Sequence, residues 1–216
     1  MSFEYSKQAA QKADVGCPTT VTDVDHHSYN TVLIGKQCWM AENLRVRHFR
    51  DGAAVDDEQM AVIDVDKFGL LYRWAAVTHP SGLCPTGWHV PSDAEFQQLE
   101  LAVGMAPDVV KETGWRGAND EARKLKQFVV ASSSTPEMKA LVNASGFSAL
   151  PAGGSSGAIT GADGLYSDFW TSTEHDDERA WYRSQTWFSL HPNRTRIRRV
   201  HVDKAQGSSV RCLLDG

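Results

Sequence analysis

Residues 84–96 read CPTGWHVPSDAEF, and they combine a cysteine, prolines and a histidine with what looks like the start of a helix. Ser92 and Glu95 have the spacing of a capping box, in which each side chain accepts a hydrogen bond from the backbone amide of the other residue. Pro91 stands just before the box, where the chain is not yet helical. We therefore interpret the stretch as a strand end, a turn and a helix start.

The helix that begins here has an apolar face. Phe96, Leu99 and Val103 recur at helical spacing, and Gly104 follows them as a stop signal. His89 lies between two bulky apolar residues, which is more typical of a packed, hydrogen-bonded histidine than of a metal ligand. No second histidine has a ligand-like spacing and no nucleophile motif is present, so the stretch predicts neither a metal site nor a catalytic residue.

The composition sets broad limits on function. The chain has 216 residues, of which 41% are hydrophobic and 23% charged, and this supports a substantial core. The formal net charge of −5 argues against binding nucleic acid or an anionic membrane through bulk electrostatics. No apolar run approaches the ~20 residues of a transmembrane helix. Residues 1–16 contain no apolar segment typical of a signal peptide, and we expect them to form a polar N-terminal tail.

The rest of the chain divides into strands, then helices, then strands again. The runs SYNTVLI and QCWM flank Gly35 and Lys36, which predicts a hairpin with a two-residue turn. Further helices are predicted over residues 119–130 and around residues 136–142. Glycine-rich loops then lead to the β-like runs WTSTE, RAWYRSQTWF, RTRIRRVHVD and SSVRCLL. The pattern predicts an α+β fold, with short antiparallel sheets, two or three helices and long C-terminal loops, and with residues 17–216 as a single domain.

The chain has four cysteines: Cys17, Cys38, Cys84 and Cys212. None are spaced as C-x-x-C, which argues against a zinc ribbon or a thioredoxin motif. The even count is compatible with two disulfides and an oxidising compartment, and three pairings are possible. A link between Cys84 and Cys212 would stabilise the fold by at most about 5 kcal/mol, and one between Cys17 and Cys38 by about 3 kcal/mol.

Long motifs over residues 21–213 resemble a Fibrobacter succinogenes major paralogous domain. In chain order they are IGKQCWMAENLR, GLLYRWAAV, LCPTGWHVPSDAEFQQLE, GWRGANDEARKLK, GFSALPAGG, FWTSTE, RAWYR and SSVRC. The resemblance implies a C-type lectin-like fold, related to the formylglycine-generating enzyme and to the variable proteins of diversity-generating retroelements. It also implies a bacterial protein that is extracellular or at the cell surface, although this chain shows no export signal.

The same resemblance implies roles for the cysteines and tryptophans. Cys84 and Cys212 match family cysteines, and a disulfide between them would join the helix start to the last strand. Cys38 matches a position where only some members have cysteine, and Cys17 is its expected partner. The tryptophans of the recurring motifs are interpreted as core residues: Trp39, Trp74, Trp88, Trp170 and Trp181.

Residues 183–204, RSQTWFSLHPNRTRIRRVHVDK, are basic in an otherwise acidic protein. Strand alternation would place Arg194, Arg196 and Arg198 on one face, and a change of parity predicts a bulge or tight turn between Arg198 and Arg199. The candidate ligand-binding residues are Arg183, Trp187, His191, Asn193, Arg194, Arg196, Arg198 and His201.

Two interpretations of this segment stay open. An exposed face with three arginines would suit an anionic ligand, such as an acidic glycan or an acidic protein surface. Alternatively, the arginines belong to a solvated sheet edge whose charges oppose aggregation. Calcium-dependent sugar binding is not favoured, because the EPN, QPD and WND signatures are absent and the carboxylates of residues 174–178 are adjacent in sequence.

The sequence therefore predicts a non-enzymatic, surface-displayed ligand-binding or adhesion module. It would recognise an extracellular protein or glycan through its C-terminal strands and loops, and a retroelement-diversified variable protein is one form of this hypothesis. We expect no cofactor, no metal and no nucleic-acid partner. Two other hypotheses are an enzyme of the formylglycine-generating type, which would need reactive cysteines, and a structural component of a surface appendage or phage particle.

Overall fold

The computed structural model describes residues 16–62, 64–127, 135–156, 159–161, 165–187 and 191–216. The expected tail, residues 1–16, therefore lies almost entirely outside the described residues. The helices are α1 Val65–Phe68, α2 Trp74–Val77, α3 Asp93–Ala102, α4 Glu121–Leu125 and α5 Pro136–Leu141, with a 3₁₀ turn at Asp57–Gln59. In these ranges no helix has the length and apolar character needed to cross a membrane.

The strands have between two and nine residues, and within the described residues every pair of them is antiparallel. One sheet has the order β1-β2-β3-β13-β6 and a second has the order β10-β11-β12-β7, while β4-β5 and β8-β9 form two-stranded ribbons. This arrangement confirms a mixed fold of antiparallel sheets with few helices. The strands are β1 Thr20–Thr22, β2 Ser28–Ile34, β3 Gln37–Met40, β4 Met60–Val62, β5 Leu70–Tyr72, β6 Trp88–His89, β7 Gly114–Arg116, β8 Gly154–Ser156, β9 Ile159–Gly161, β10 Tyr166–Glu174, β11 Arg179–Thr186, β12 Ile197–Asp203 and β13 Leu213–Leu214.

The five-stranded sheet joins the beginning and the end of the described chain. β2 and β3 form the predicted hairpin, and Gly35 takes a φ of +63° in its two-residue turn, where glycine has no steric penalty. β13 lies between β3 and β6, so that Leu213 is opposite both Trp39 and His89. The C-terminal motif is therefore placed directly beside the stretch that begins α3.

Two hydrophobic clusters use opposite faces of these strands, because successive strand residues point to opposite sides. On β3, Cys38 and Met40 belong to one cluster and Trp39 to the other. Cys212 and Leu213 divide between the two clusters in the same way. β3 and the C-terminal strand are thus covered on both faces, which explains why their sequences are apolar without a polar alternation.

Three of the five tryptophans predicted in the core are buried and two are partly exposed. Each partly exposed indole has a cation over its ring. Lys204 Nζ lies 4.6 Å from the ring centroid of Trp74, and the Arg199 guanidinium carbon lies 3.7 Å from that of Trp181. The fully buried members are Trp39, Trp88 and Trp170.

Two disulfides fasten the ends of the described chain to the five-stranded sheet. Cys84 is bonded to Cys212, and Cys17 is bonded to Cys38, so both pairings implied by the family resemblance are confirmed. The first bond joins the loop before β6 to the residue before β13. The second fastens the segment before β1 to the middle of the hairpin.

Helix α3 begins with the predicted capping box. Ser92 Oγ accepts from the Glu95 amide at 3.3 Å, and Glu95 Oε2 accepts from the Ser92 amide at 2.7 Å. The predicted apolar face, with Phe96, Leu99 and Val103, is buried in the second cluster. The start and the apolar face of α3 could be predicted from the sequence because each residue involved lies within three or four positions of its partner.

The helix predicted over residues 119–130 is much shorter than expected. α4 ends at Leu125, because Lys126 has an extended conformation and forms a parallel bridge with Ala149. Residues 128–130 lie outside the described residues. The predicted helix around residues 136–142 is confirmed as α5, which begins with Thr135 as N-cap.

β12 begins later than predicted. Arg194 and Arg196 lie in the turns that precede the strand, and the Arg196 amide donates to the Asn193 carbonyl at 2.9 Å. From Arg198 onward the register with β11 is continuous, so the bulge predicted between Arg198 and Arg199 is wrong. The even-odd pattern of the arginines breaks because the chain turns before Ile197, and the strand itself is regular.

Removing each disulfide by paired alanine substitutions should lower the free energy of unfolding by different amounts. The chain-entropy model assigns about 5 kcal/mol to the Cys84–Cys212 bond, which spans 128 residues, and about 3 kcal/mol to the Cys17–Cys38 bond, which spans 21. Equilibrium unfolding in urea measures both losses. A larger loss for Cys17→Ala/Cys38→Ala would contradict this ordering.

Candidate functional site

A cluster of charged side chains lies inside the protein, between α3 and the four-stranded sheet. Its acids, Asp93 and Glu100, belong to α3, and its bases come from β7, β11 and β12. All of its members are between 1% and 9% exposed. We call this set the buried ion network: Asp93, Glu100, Arg116, Arg183 and Arg199.

The network is continuous through short charge-assisted hydrogen bonds. Arg116 makes a bidentate contact with Glu100, at 2.7 and 3.0 Å. Arg183 bridges the two acids, with Nε 2.6 Å from Glu100 Oε1 and Nη1 2.7 Å from Asp93 Oδ1. Arg199 donates to Asp93 through Nε at 2.9 Å and Nη2 at 2.8 Å. Bidentate guanidinium–carboxylate pairs of this kind fix geometry as well as charge, so they set the position of α3 on the sheet.

The arginines decide the charge state of Asp93. Burial alone would raise the pKa of this carboxyl, but the hydrogen bonds and positive charges of Arg199 and Arg183 outweigh burial and lower the pKa to about 2. Asp93 is also the first residue of α3, where a negative charge is favoured by the helix dipole. Asp93 is therefore ionised at neutral pH and holds both arginines.

The network corrects one of the predicted ligand-binding residues. Arg183 is 1% exposed and its guanidinium is occupied by Asp93 and Glu100, so it is not accessible to a ligand. The residues next to Arg183 in the sequence do not indicate that it is buried. Both acids lie more than eighty positions earlier in the chain, and only the tertiary structure brings them together.

The arginines at positions 194, 196 and 198 are exposed, in contrast to Arg183 and Arg199. The turn before β12 presents the first two, and the second residue of β12 presents the third. Among the described residues no carboxylate forms an ion pair with any of them. We call Arg194, Arg196 and Arg198 the arginine patch.

Aromatic rings lie beside the arginine patch. The register of β12 with β7 sets Arg198 opposite Trp115, and the guanidinium carbon lies 5.9 Å from the indole centroid. The His191 ring centroid lies 5.3 Å from that of the indole, and its Nδ1 accepts from the Asn193 amide at 3.1 Å. Asn193 thus contacts both His191 and Arg196, and the ligand-binding role of His191 and Asn193 stays a prediction. Sequence reasoning missed Trp115, whose position depends on strand pairing across a long separation.

Lys126 supports the patch from inside. Its side chain is buried, and Nζ donates to the carbonyls of Thr186 at 3.0 Å and Arg194 at 2.6 Å. Burial, followed by the positive charges of Arg123 and Arg194, lowers the pKa of Lys126 to about 8. The lysine thus joins the turn that presents the arginines to the end of β11.

The two remaining candidates are Trp187, whose ring centroid lies 5.7 Å from Lys126 Nζ, and His201. The Trp187 side chain is partly buried, and its Nε1 donates to Ser167 Oγ at 2.5 Å. His201 lies on the face of β12 opposite Arg198, where its ring stacks on His175 at 3.9 Å and meets the edge of Trp181. Burial, and then the charge of His175, lowers the pKa of His201.

The acidic loop at residues 174–178 is engaged with nearby cations. Glu174 pairs with Lys204, and Asp176 pairs with Arg179 at 2.6 Å. In the part of the chain that the structure describes, no group of three or more histidine, cysteine and acidic side chains is placed to hold a metal ion.

His89, the histidine of the opening stretch, is held by two acids. Its Nδ1 lies 2.6 Å from Asp215 Oδ1 and its Nε2 lies 3.0 Å from Glu95 Oε1, which confirms a hydrogen-bonded, structural histidine. The hydrogen bond with Glu95 raises the pKa of His89 most, and the bond with Asp215 raises it further against the opposing effect of burial.

Fold and site together define a disulfide-linked α+β protein that displays an arginine patch above a buried ion network. The family model of the Fibrobacter succinogenes major domain matches residues 32–213, and the chain therefore belongs to that family. No curated protein and no solved structure matches the chain.

Asp93→Asn should lower the free energy of unfolding at neutral pH and should reduce the loss of stability as the pH falls. Because the pKa of Asp93 is lowered in the folded state, its charge contributes stability above about pH 4, and this contribution is lost as pH falls toward 2. The shift from 3.8 to about 2 corresponds to about 2 kcal/mol. Urea unfolding at pH 7 and at pH 2.5 measures the effect.

The control for this experiment is Asp108→Asn, which removes an exposed carboxylate instead. At pH 7 the Asp93 variant should lose about 3 kcal/mol, since buried guanidiniums are left partly unpaired, whereas the control should change little. An Asp93 variant with the stability and acid response of the control would show that the network does not stabilise the helix.

His89→Gln should change stability in the opposite pH direction. Since the pKa of His89 is raised in the folded state, the imidazolium stabilises the fold fully below about pH 6.5, and this stabilisation disappears as pH rises through the folded pKa. The difference in unfolding free energy between wild type and variant, measured in urea at pH 5.5 and pH 8.5, should be larger at pH 5.5. A difference that is constant with pH would contradict the assignment.

Proposed function

We propose that the protein is a non-enzymatic binding module that recognises an anionic partner through the arginine patch. The observation that carries this proposal is three exposed guanidiniums without an acidic partner among the described residues, in a chain of net charge −5. Arg183 and Arg199, from the same basic segment, are paired internally. The basic segment therefore has two kinds of arginine, those paired with buried acids and those exposed to solvent.

The sheet topology supports the binding interpretation of the arginine patch. Arg198 is not on a sheet edge, because β12 lies between β11 and β7 and is paired with both at this position. Arg194 and Arg196 precede the strand altogether. These positions support a binding surface more than protection of an exposed edge against aggregation.

The position of the protein outside the cytoplasm is part of the same proposal. Two disulfides are typical of oxidising compartments, and they support an extracellular or cell-surface location. The C-type lectin-like form of the fold is also proposed, and its support is the family membership together with the antiparallel α+β architecture.

The cysteines bear on the enzyme hypothesis. Chemistry of the formylglycine-generating type needs reactive thiols, and all four cysteines of this chain are in disulfides. Titration of the native protein with a thiol reagent should find no accessible thiol. Stoichiometric labelling of Cys84 or Cys212 without denaturant would favour the enzyme over the binding module.

The patch variant Arg194→Gln/Arg196→Gln/Arg198→Gln should lose binding to acidic partners. If each exposed contact contributes about 1 kcal/mol, the dissociation constant should rise about a hundredfold. An array of acidic glycans and acidic proteins, probed with wild type and variant at low and at moderate salt, measures this effect. Binding by the wild type should also weaken as salt increases.

The matched control removes the same charge elsewhere, through Lys36→Gln/Arg47→Gln/Lys139→Gln at exposed positions. It should bind like the wild type if the location of the charge matters. Undiminished binding by the patch variant would show that the ligand site is not at these arginines.

A further inference from the structure

We propose that Trp115 completes the arginine patch and that the anionic partner is an acidic polysaccharide, with carboxylate or sulfate groups on its sugar rings. This inference rests on the proposed function and names the class of ligand that the same surface takes. Its basis is an indole that lies beside exposed guanidiniums and outside the core.

Trp115 is unlike the buried tryptophans of this protein. It is only partly buried and belongs to neither hydrophobic cluster, although its neighbour Arg116 is 2% exposed on the other face of β7. Burying an indole is strongly favourable, so a tryptophan left at the surface beside a charged patch is a feature that packing does not explain. Aromatic side chains in this setting are commonly used for contact with a ligand.

The neighbours of Trp115 give the surface a mixed character. The Arg198 guanidinium carbon lies over the indole ring, 5.9 Å from its centroid, and the tilted His191 ring lies 5.3 Å away at an angle of 46°. Arg194 and Arg196, which are exposed in the turns just before β12, add two further guanidiniums close by in the chain. Planar π faces and bidentate hydrogen-bond donors are therefore present within one patch.

This combination fits the chemistry of an acidic sugar. One face of a pyranose ring presents C–H groups that stack on the electron-rich face of an indole. A carboxylate or sulfate on the same ring accepts two parallel hydrogen bonds from a guanidinium. An acidic peptide would use the guanidiniums equally well, but it has no requirement for the aromatic face.

The exposure of all three guanidiniums favours a polymer over a small ligand. Arg194, Arg196 and Arg198 are open to solvent, so they can reach a chain that lies across the surface. A polysaccharide with repeated charges engages several of them at once, and each contact raises the effective concentration of the next. Because Lys126 already holds the turn in place, binding has a smaller entropy cost for ordering that turn.

The test measures binding of the full chain to immobilised polygalacturonate and dextran sulfate, with neutral dextran, polyglutamate and single-stranded DNA for comparison. Wild type should bind the two acidic polysaccharides more tightly than polyglutamate or DNA at equal ionic strength, and should not bind dextran. Trp115→Leu should weaken binding to the acidic polysaccharides about tenfold and leave any weak binding to polyglutamate unchanged. Trp115→Phe, which keeps an aromatic face, should restore most of the loss.

A second measurement does not depend on how the leucine variant folds. In wild type labelled with 5-fluorotryptophan, the resonance of Trp115, assigned from its absence in Trp115→Phe, should shift when polygalacturonate is added. It should stay in place when polyglutamate is added at the same charge concentration. The resonances of the buried Trp39 and Trp170 serve as internal controls in the same spectrum.

The outcomes separate this inference from the proposed function. Binding of polyglutamate or DNA as tight as that of the acidic polysaccharides would overturn the saccharide assignment. So would full polysaccharide binding by Trp115→Leu together with a Trp115 resonance that does not shift. In either case the arginine patch would remain the site. Absence of binding to every polyanion, or full binding by the patch variant, would overturn the proposed function itself.

Discussion

The structure depends on the contacts that Asp93 and Glu100 make with three buried arginines. Removing charged groups from water is costly, and the cost is offset only when each charge has its partners in good geometry. Because the acids belong to α3 and the arginines to three different strands, only one placement of the helix on the sheet satisfies all of them. We therefore expect the network to contribute specificity to the fold in addition to any net stability.

Strand β12 contributes both to the buried ion network and to the arginine patch. On β12, Arg199 points inward to Asp93 while Arg198 points outward to solvent, because neighbouring strand residues face opposite sides. The proposed binding surface therefore rests on an internally paired layer. The exposed cations can change without disturbing the ions beneath them, which suits a scaffold that displays a recognition surface.

The start of α3 is fixed from two sides. Asp93 joins it to the four-stranded sheet, and the Cys84–Cys212 disulfide joins the preceding loop to the last strand. Residues 84–96 thus form a structural corner, in which His89 is hydrogen-bonded to Glu95 and Asp215. The proposed recognition surface lies elsewhere in the chain, at the turn before β12.

The sequence by itself determined the features whose partners are close in the chain. The capping box of α3, the hairpin at Gly35 and helix α5 follow from residues a few positions apart, and the disulfide pairing followed from the family resemblance. The tertiary structure alone decided which arginines are buried, where β12 begins and why Trp115 lies beside Arg198. These features depend on strand pairing and ion pairing between residues far apart in the chain, and a charged side chain has the same sequence signal whether it meets water or a buried carboxylate.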